Sequence, residues 1–385
     1  MKSEWNRVQV GELCSRVCSG GTPKSTNSEY YGGDIPWLNT REVNFNRISK
    51  TECFITQAGL DNSSAKWIKK NCVIVAMYGA TAGRCAITKI PLTTNQACCN
   101  LEIDDTKADY RFVYYALKNE YVRLSAAANG GAQQNLNAQQ VKEFDIPYPP
   151  LPIQRKIASI LSALDDKIET NNAICRNLEE QAEAIFSQYY QKENEPRLFT
   201  SVIQISGGGT PKTSEPSFWN GNIPFFTPKD AESPFAFTTE KTLTEEGLNN
   251  CSSILYPEWT TFITARGTVG KISLAGRAMA MNQSCYALIS EEIHPLLIYF
   301  YALVVVKSLK QKASGAVFDA IVTRDFDREE IKLLKKDEQQ LLLMRIEPIY
   351  TQIRSLKLEN LKLAETRSAL ISKLMSGELS IDAIN

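Results

Sequence analysis

Histidine is nearly absent. The 385-residue chain has one, His294, which leaves no room for His-paired metal sites or His-dependent triads. Ten cysteines occur as singles apart from the pair Cys98-Cys99, without the C-x-x-C spacing of zinc ribbons and dithiol redox sites. Cys14-x-x-x-Cys18 is the nearest approach, and free thiols in a reducing compartment are the expectation. Long hydrophobic runs are missing too. The longest, Leu296 to Val306, falls short of the ~18–20 residues a membrane span needs, and no secretory segment follows Met1, so a cytoplasmic protein is expected. Net charge is zero, with 43 Lys and Arg against 43 Asp and Glu. Residues 1–151 hold 17 bases and 14 acids, and residues 201–336 hold 14 of each, so neither region is coated in positive charge. A nucleic-acid partner would have to be met by local clusters, or by charge on another subunit.

Catalytic motifs are equally scarce. Gly207-Gly-Gly-Thr-Pro-Lys-Thr213 mimics a phosphate loop, but Pro211 stands where glycine should precede the lysine and removes a backbone donor. Gly79-Ala-Thr-Ala-Gly83 lacks dinucleotide-binding spacing. Asp145-Ile-Pro-Tyr148 is similar to the Asp-Pro-Pro-Tyr signature of amino-methyltransferases. It follows no glycine-rich cofactor motif, however, and reads as a linker. Asp165-Asp166 reads as a solvated pair on an outer helix face. No catalytic constellation remains, and a non-enzymatic chain without a cofactor of its own is expected.

What is present is a repeat. Residues 20–37 (GGTPKSTNSEYYGGDIPW) recur as residues 208–225 (GGTPKTSEPSFWNGNIPF) at an offset of 188. The loop Tyr78–Arg84 matches Ala265–Lys271 at 187, and Asn95-Gln96 matches Asn282-Gln283. Tyr114–Leu117 matches Phe300–Leu303 at 186, and Ile146 and Gln154 match Ile331 and Gln339 at 185. A self-similar chain of this kind is two copies of one unit. Within each copy, Cys72–Met77 and Thr261–Ala265 read as buried strands. Cys85–Thr88 and Lys271–Leu274 read as their hairpin partners, and Asp109–Ala126 and Pro295–Lys312 read as helices.

Each copy leads into a heptad helix. Ile157, Leu164, Asn171, Leu178 and Ile185 interleave with Leu161, Ile168, Cys175, Ala182 and Tyr189. Near the other end, Leu342, Ile349, Leu356, Leu363 and Leu370 interleave with Ile346, Ile353, Asn360, Arg367 and Leu374. A four-three spacing is a coiled-coil seam that needs a partner, and each helix can supply the other's. Asn171 and Asn360 are polar seam positions that fix register at some cost in stability. A fused pseudo-dimer about a two-fold axis makes the helices antiparallel. The expected fold is therefore α+β: two homologous α/β domains separated by two long antiparallel coiled-coil helices, pseudo-two-fold symmetric. The divisions are residues 1–151, a helical spacer at 152–193, residues 194–336, and a second spacer at 337–385. The outer helix faces, with Asp165, Asp166 and Glu179, are expected to be free for other subunits.

Candidate DNA contacts lie in the repeated loops. Lys24 and Lys212 follow the Gly-Gly-Thr-Pro turn, where glycines permit positive φ and the structural role competes evenly with phosphate contact. Tyr78, Thr81 and Arg84, with Arg266, Thr268 and Lys271, occupy hairpin tips suited to phosphates or base edges, or to a tight turn alone. Arg41 and Lys229, Gln96 and Gln283, and the adjacent Gln133 and Gln134 complete the set. In the second copy Val317-Phe318-Asp319 stands where the first has Gln133-Gln134-Asn135.

The chain resembles the specificity subunits of type I restriction–modification systems. The likeness is carried by Gly-Gly-Thr-Pro with Ile-Pro-Trp, by Tyr78–Arg84 with Asn95-Gln96, and by Ile146-Pro-Tyr-Pro-Pro-Leu-Pro-Ile-Gln154 leading into the heptads. Leu370-Ile-Ser-Lys-Leu-Met-Ser-Gly-Glu378 is similar as well. The resemblance implies two target recognition domains, each reading half of a split double-stranded DNA site, with the helices setting the spacer. It also implies docking of two methyltransferase subunits that carry S-adenosylmethionine, and of translocase–nuclease subunits. Leu333-Leu-Lys-Lys-Asp-Glu-Gln339 departs from the family's Pro-Pro linker, so a rigid second joint is not implied. A pseudo-dimeric protein-binding scaffold is the alternative, and a self-sufficient adenine methyltransferase would need a glycine motif the chain lacks.

Overall fold

The computed structural model describes residues 5–128, 135–192, 194–232, 234–312 and 320–379. They fall into two compact units, residues 1–168 with 362–385, and residues 169–361.

The first copy forms β1 (Arg7–Gln9), β2 (Cys14–Ser19), β3 (Tyr31–Leu38), β4 (Arg47–Ile48), β5 (Cys53–Ile55), β6 (Val73–Ala76), β7 (Cys85–Thr88), β8 (Thr93–Thr94), β9 (Cys98–Ile103) and β10 (Asp145–Pro147). Its helices are α1 (Gln57–Asp61), α2 (Tyr110–Asn119), α3 (Tyr121–Ala126) and α4 (Ala138–Glu143), before α5 (Leu151–Tyr190). A five-stranded sheet runs β2-β9-β6-β7-β4, beside a three-stranded sheet β5-β3-β8 and the pair β1-β10. The run Val73-Ile-Val-Ala is buried throughout because successive side chains serve opposite faces. Val73 and Val75 join Phe112, Tyr115, Ile157 and Leu161 in one core, while Ile74 and Ala76 join Leu38, Ile48 and Ile68 in another. Burying each such aliphatic side chain contributes roughly 1.5–3 kcal/mol.

The second copy repeats this order: β11 (Glu195–Leu198), β12 (Gln204–Gly207), β13 (Trp219–Phe226), β14 (Phe235–Ala236), β15 (Lys241–Leu243), β16 (Thr261–Thr264), β17 (Ile272–Ala275), β18 (Ala280–Met281), β19 (Cys285–Ile289) and β20 (Glu330–Leu333). Helices α6 (Phe199–Val202), α7 (Glu245–Asn249), α8 (Pro295–Lys312) and α9 (Thr323–Phe326) lead to α10 (Lys336–Met375). The sheets run β12-β19-β16-β17-β14, β15-β13-β18 and β11-β20, the same topology as in the first copy. One helix differs. The expected single helix at 109–126 is two, because Glu120 leaves helical geometry (ψ 11°). Its carboxylate pairs with Arg123 at 2.6 Å and Arg7 at 3.5 Å, and α8 has no such break.

Both joints to the long helices are built the same way despite the missing prolines. Buried Gln154 donates to the Pro149 carbonyl at 2.9 Å and accepts from the Asp109 amide at 3.1 Å. Gln339 donates to the Leu334 carbonyl at 2.8 Å, while the Tyr190 and Tyr301 hydroxyls accept from the Lys332 and Leu334 amides, each at 3.2 Å. Strand pairing, β1 with β10 and β11 with β20, anchors each joint.

Within each unit, α5 and α10 pack antiparallel. In the second unit Asn171 donates to Asn360 at 2.9 Å and to Glu359 at 2.8 Å, and Asn360 donates to Asn172 at 3.0 Å. Leu342, Ile346 and Ile353 are buried there with Cys175 and Ala182, and Leu178, Ile185, Ile349 and Leu356 pack around them half-buried. In the first unit Ile157 and Leu161 are buried with Ile371 and Leu374, and Leu370 packs against them; Leu164, Ile168 and Leu363 are half-buried. Forty residues give each helix a length of about 60 Å. Among the described residues, no helix is long and apolar enough to cross a membrane.

The expectation of a solvated carboxylate pair fails at Asp165, while Asp166 stays 62% exposed. Asp165 is 8% exposed, accepts from the Tyr115 hydroxyl and from Arg367, and lies 4.0 Å from Arg47; Asp166 pairs with Arg47 as well. An unbroken α-helix turns 3.6 residues per turn, so the face beside the seam is pressed against its own domain rather than against solvent. Glu179 is half-buried, and burial raises its pKa above the ordinary carboxylate value. Removing Asp165 leaves the half-buried Arg367 without its anion and the Arg47 guanidinium with Asp166 alone. Asp165→Ala is expected to destabilise the protein by roughly 3–5 kcal/mol in urea unfolding, and an unchanged midpoint would show that the cluster contributes nothing.

Candidate nucleic-acid interface

The Gly-Gly-Thr-Pro-Lys turn joins β2 to β3 and lies against the loop between β8 and β9. The Gly21 amide donates to the Thr94 carbonyl at 2.8 Å, and Thr22 bonds Gln96. Trp37 Nε1 holds the Gly21 carbonyl at 2.9 Å, and the Tyr31 hydroxyl holds that of Pro23 at 2.7 Å. In the second copy Gly209 donates to Met281 at 3.1 Å, Thr210 bonds Gln283, and Trp219 donates to the Lys212 carbonyl at 3.4 Å. The glycines serve here by close approach, not by positive φ as expected. A Cβ on Gly20 or Gly208 would overlap the backbone of Thr94 or Asn282. No α-helix follows the turn, only a 3-10 turn at Pro216–Phe218, so Gly207–Thr213 is no phosphate loop.

From this turn a chain of bonds leads to the hairpin tip. The Asn95 amide donates to Leu38, at the end of β3, at 3.0 Å, and the Met77 amide donates to Ala97 at 2.8 Å. Beyond β3, Asn39 and Glu42 form a capping box, and Asn46 donates to the Glu42 carbonyl at 3.1 Å. Arg84 then reaches Asn44 at 2.9 Å. The second copy runs Asn282 to Phe226 at 2.9 Å, Thr227 to Asp230 at 2.6 Å, and Thr268 to the Pro228 carbonyl at 3.1 Å. Gly79 and Gly83, like Gly267 and Gly270, do adopt positive φ, between 69° and 82°. In each unit the candidate residues thus share one rim of loops beyond the strand ends.

Their roles on the rim differ. Arg41 pairs with Glu52 at 2.8 Å and Lys229 with Glu240 at 3.4 Å, both exposed pairs. Thr81 bonds the Tyr78 carbonyl at 3.3 Å. Lys24, Lys212, Arg266 and Lys271 are exposed with no side-chain partner among the described residues, and Tyr78 is 44% exposed. Gln133 and Gln134 lie outside the described residues. The sequence pattern did not single out Asn44, nor Trp67, Ile254 and Leu255, which stand exposed in the loops beside the two glycine turns. Only chain packing brings these to the rim, although the offset of 188 between Trp67 and Leu255 was a usable signal.

Among the described residues no His, Cys, Asp and Glu group could hold a metal ion. His294 Nδ1 accepts from the Leu296 amide at 3.3 Å, capping α8. Burial pushes the Cys14 and Cys85 thiols up to about 12, far from thiolate chemistry at neutral pH.

The family described as "Type I restriction modification DNA specificity domain" matches the chain twice, at residues 2–180 and 191–365. The chain is 23% identical to the type I restriction enzyme MjaIX specificity subunit of Methanocaldococcus jannaschii, covering 99% of this chain and 95% of that one. It is 20% identical to the HindI specificity subunit of Haemophilus influenzae, covering 98% and 100%. Its fold is similar to the crystal structure of a type I restriction–modification S subunit from M. genitalium, with a TM-score of 0.59 at 18% identity over 96% of each chain. Gly20→Ala or Gly208→Ala should force the turn away from its neighbouring loop. Each is expected to cost about 1–3 kcal/mol in denaturant unfolding, with Ser in place of Ala no better.

Proposed function

This chain belongs to the type I restriction–modification DNA specificity family, and we propose that it is the sequence-specific DNA-binding subunit of such a complex. Each copy, bounded as residues 1–151 and 194–336, reads one half of a bipartite, asymmetric double-stranded site. The helices at 152–193 and 337–385 set the unread spacer and dock two methyltransferase subunits, and translocase–nuclease subunits join for restriction. S-adenosylmethionine belongs to the methyltransferases, so this chain is itself non-catalytic. It acts in the cytoplasm, where the DNA is.

One observation carries the reading. The two rims share their backbone bonds, yet present different side chains: Tyr78 and Arg84 in one, Arg266 and Lys271 in the other. A common scaffold with different exposed tips suits two domains that address different base sequences. Zero net charge suits a subunit whose partners neutralise most phosphates. The chain alone should therefore bind DNA weakly, and added methyltransferase subunits should sharpen its specificity. Full affinity for its site by the chain alone would sink that division of labour, and no DNA shift with or without partners would favour a protein-binding scaffold.

The spacer role has its own test. Inserting or deleting one heptad in the first long helix should change spacer length while both half-sites stay the same, as read by sequencing the adenines methylated by the reconstituted complex. Exchanging residues 1–151 for another domain of the family should change one half-site only.

A further inference from the structure

The two copies differ where the helix after the sheet meets the hairpin loop. In the first unit Phe45 closes this place. Its ring packs edge-on to Tyr121 at 5.1 Å, the Tyr114 hydroxyl donates to its carbonyl at 2.6 Å, and Leu124 beneath is fully buried. Phe45 takes a φ of 51° there, an uncommon backbone conformation for a bulky residue.

Counted along the repeat, the second copy has Ser233 for Phe45, Lys307 for Tyr121, Lys310 for Leu124 and Lys271 for Arg84. In place of the aromatic plug is a cleft of about 800 Å³ between the loop Arg266–Lys271 and the outer face of α8. Val306, Leu303 and Ile272 line it with the exposed Lys271, Lys307 and Lys310, and no carboxylate is among the described residues lining it. Lys310 Nζ donates to the Gly270 carbonyl at 2.8 Å, which ties the helix to the loop and keeps an ammonium at the mouth. Lys271 and Lys307 have no side-chain partner among the described residues. Three cations around one concave surface raise the local concentration of anions.

We propose that this cleft binds phosphodiesters of the DNA backbone beside the half-site read by the second domain, an anchor that the first domain lacks. The proposal rests on the DNA-reading function above. Continuity favours DNA over a free nucleotide. Lys271 belongs both to the cleft and to the hairpin loop, and Thr268 of that loop bonds Pro228 next to Lys229, so the cleft extends the rim.

The test measures affinity of the full chain for a random-sequence duplex by fluorescence anisotropy across a salt series. It compares wild type with Lys271→Gln/Lys307→Gln, and with Lys335→Gln as a control just before the second long helix. Each lost phosphate contact lowers the slope of log affinity against log salt by about 0.9. The double variant should therefore lose about 1.8 of slope. Between 50 and 200 mM salt, wild type should weaken about 12-fold more than the variant. Lys307→Tyr, which restores the first copy's residue, should lose about half of that slope change, and unfolding curves check that each variant is folded. Wild-type binding with an unchanged slope in the folded variants overturns the cleft and leaves the DNA reading intact. Absence of any DNA binding by wild type, both alone and with methyltransferase subunits added, overturns both. Calorimetric binding of AMP that disappears in the double variant, with no change in DNA slope, reassigns the cleft to a free nucleotide and also overturns the proposal.

Discussion

Burial on two faces of one helix governs the structure. In the first unit, α5 must satisfy the sheet domain on one side and α10 on the other, and Asp165 stands where the two meet. Its carboxylate serves Tyr115 and Arg47 of the domain and Arg367 of α10 at once. A buried charge of this kind is costly unless its partners are all in place. The cluster therefore specifies which turn of α10 lies beside which turn of α5 in that unit. In the second unit the Asn171–Asn360 pair does the same with neutral groups, because an unpaired amide in an apolar seam loses its hydrogen bonds to water.

The recognition rims follow from the same economy. Each domain spends its backbone bonds on holding three loops together: the glycine turn, the loop after the small sheet and the hairpin tip. The glycines are fixed by backbone proximity, and threonine and glutamine tie one loop to the next. Side chains not needed for that purpose are left to vary, and they do. Fixed loops with free tips suit a domain that must present different chemistry on an unchanged frame. The filled site at Phe45 and the basic cleft at Lys307 show how far two copies can diverge on such a frame.

Much of this was legible in the residues themselves. The repeat announced two copies, and their sheets have the same strand order. The heptads announced two long helices, and α5 begins within one residue of its expected start. Asn171 and Asn360, singled out as polar seam positions, are bonded to each other. The reading went wrong where a second surface intervened. Asp165 looked solvated because a heptad describes one partner and is silent about a second. The helix expected at 109–126 breaks at Glu120 because two arginines, one of them distant in sequence, converge on it. The glycine turn was assigned the wrong reason because proximity between strands is not visible in a local motif.

By itself the sequence determined the duplicated α+β design, the two long helices and the family, since periodicity and order of motifs are properties of the chain written out in line. Tertiary structure alone decided which carboxylates are buried, which cations remain unpaired and which copy carries an open basic cleft. Those depend on what packs against each side chain from elsewhere in the fold, and a single sequence carries no coordinate for that.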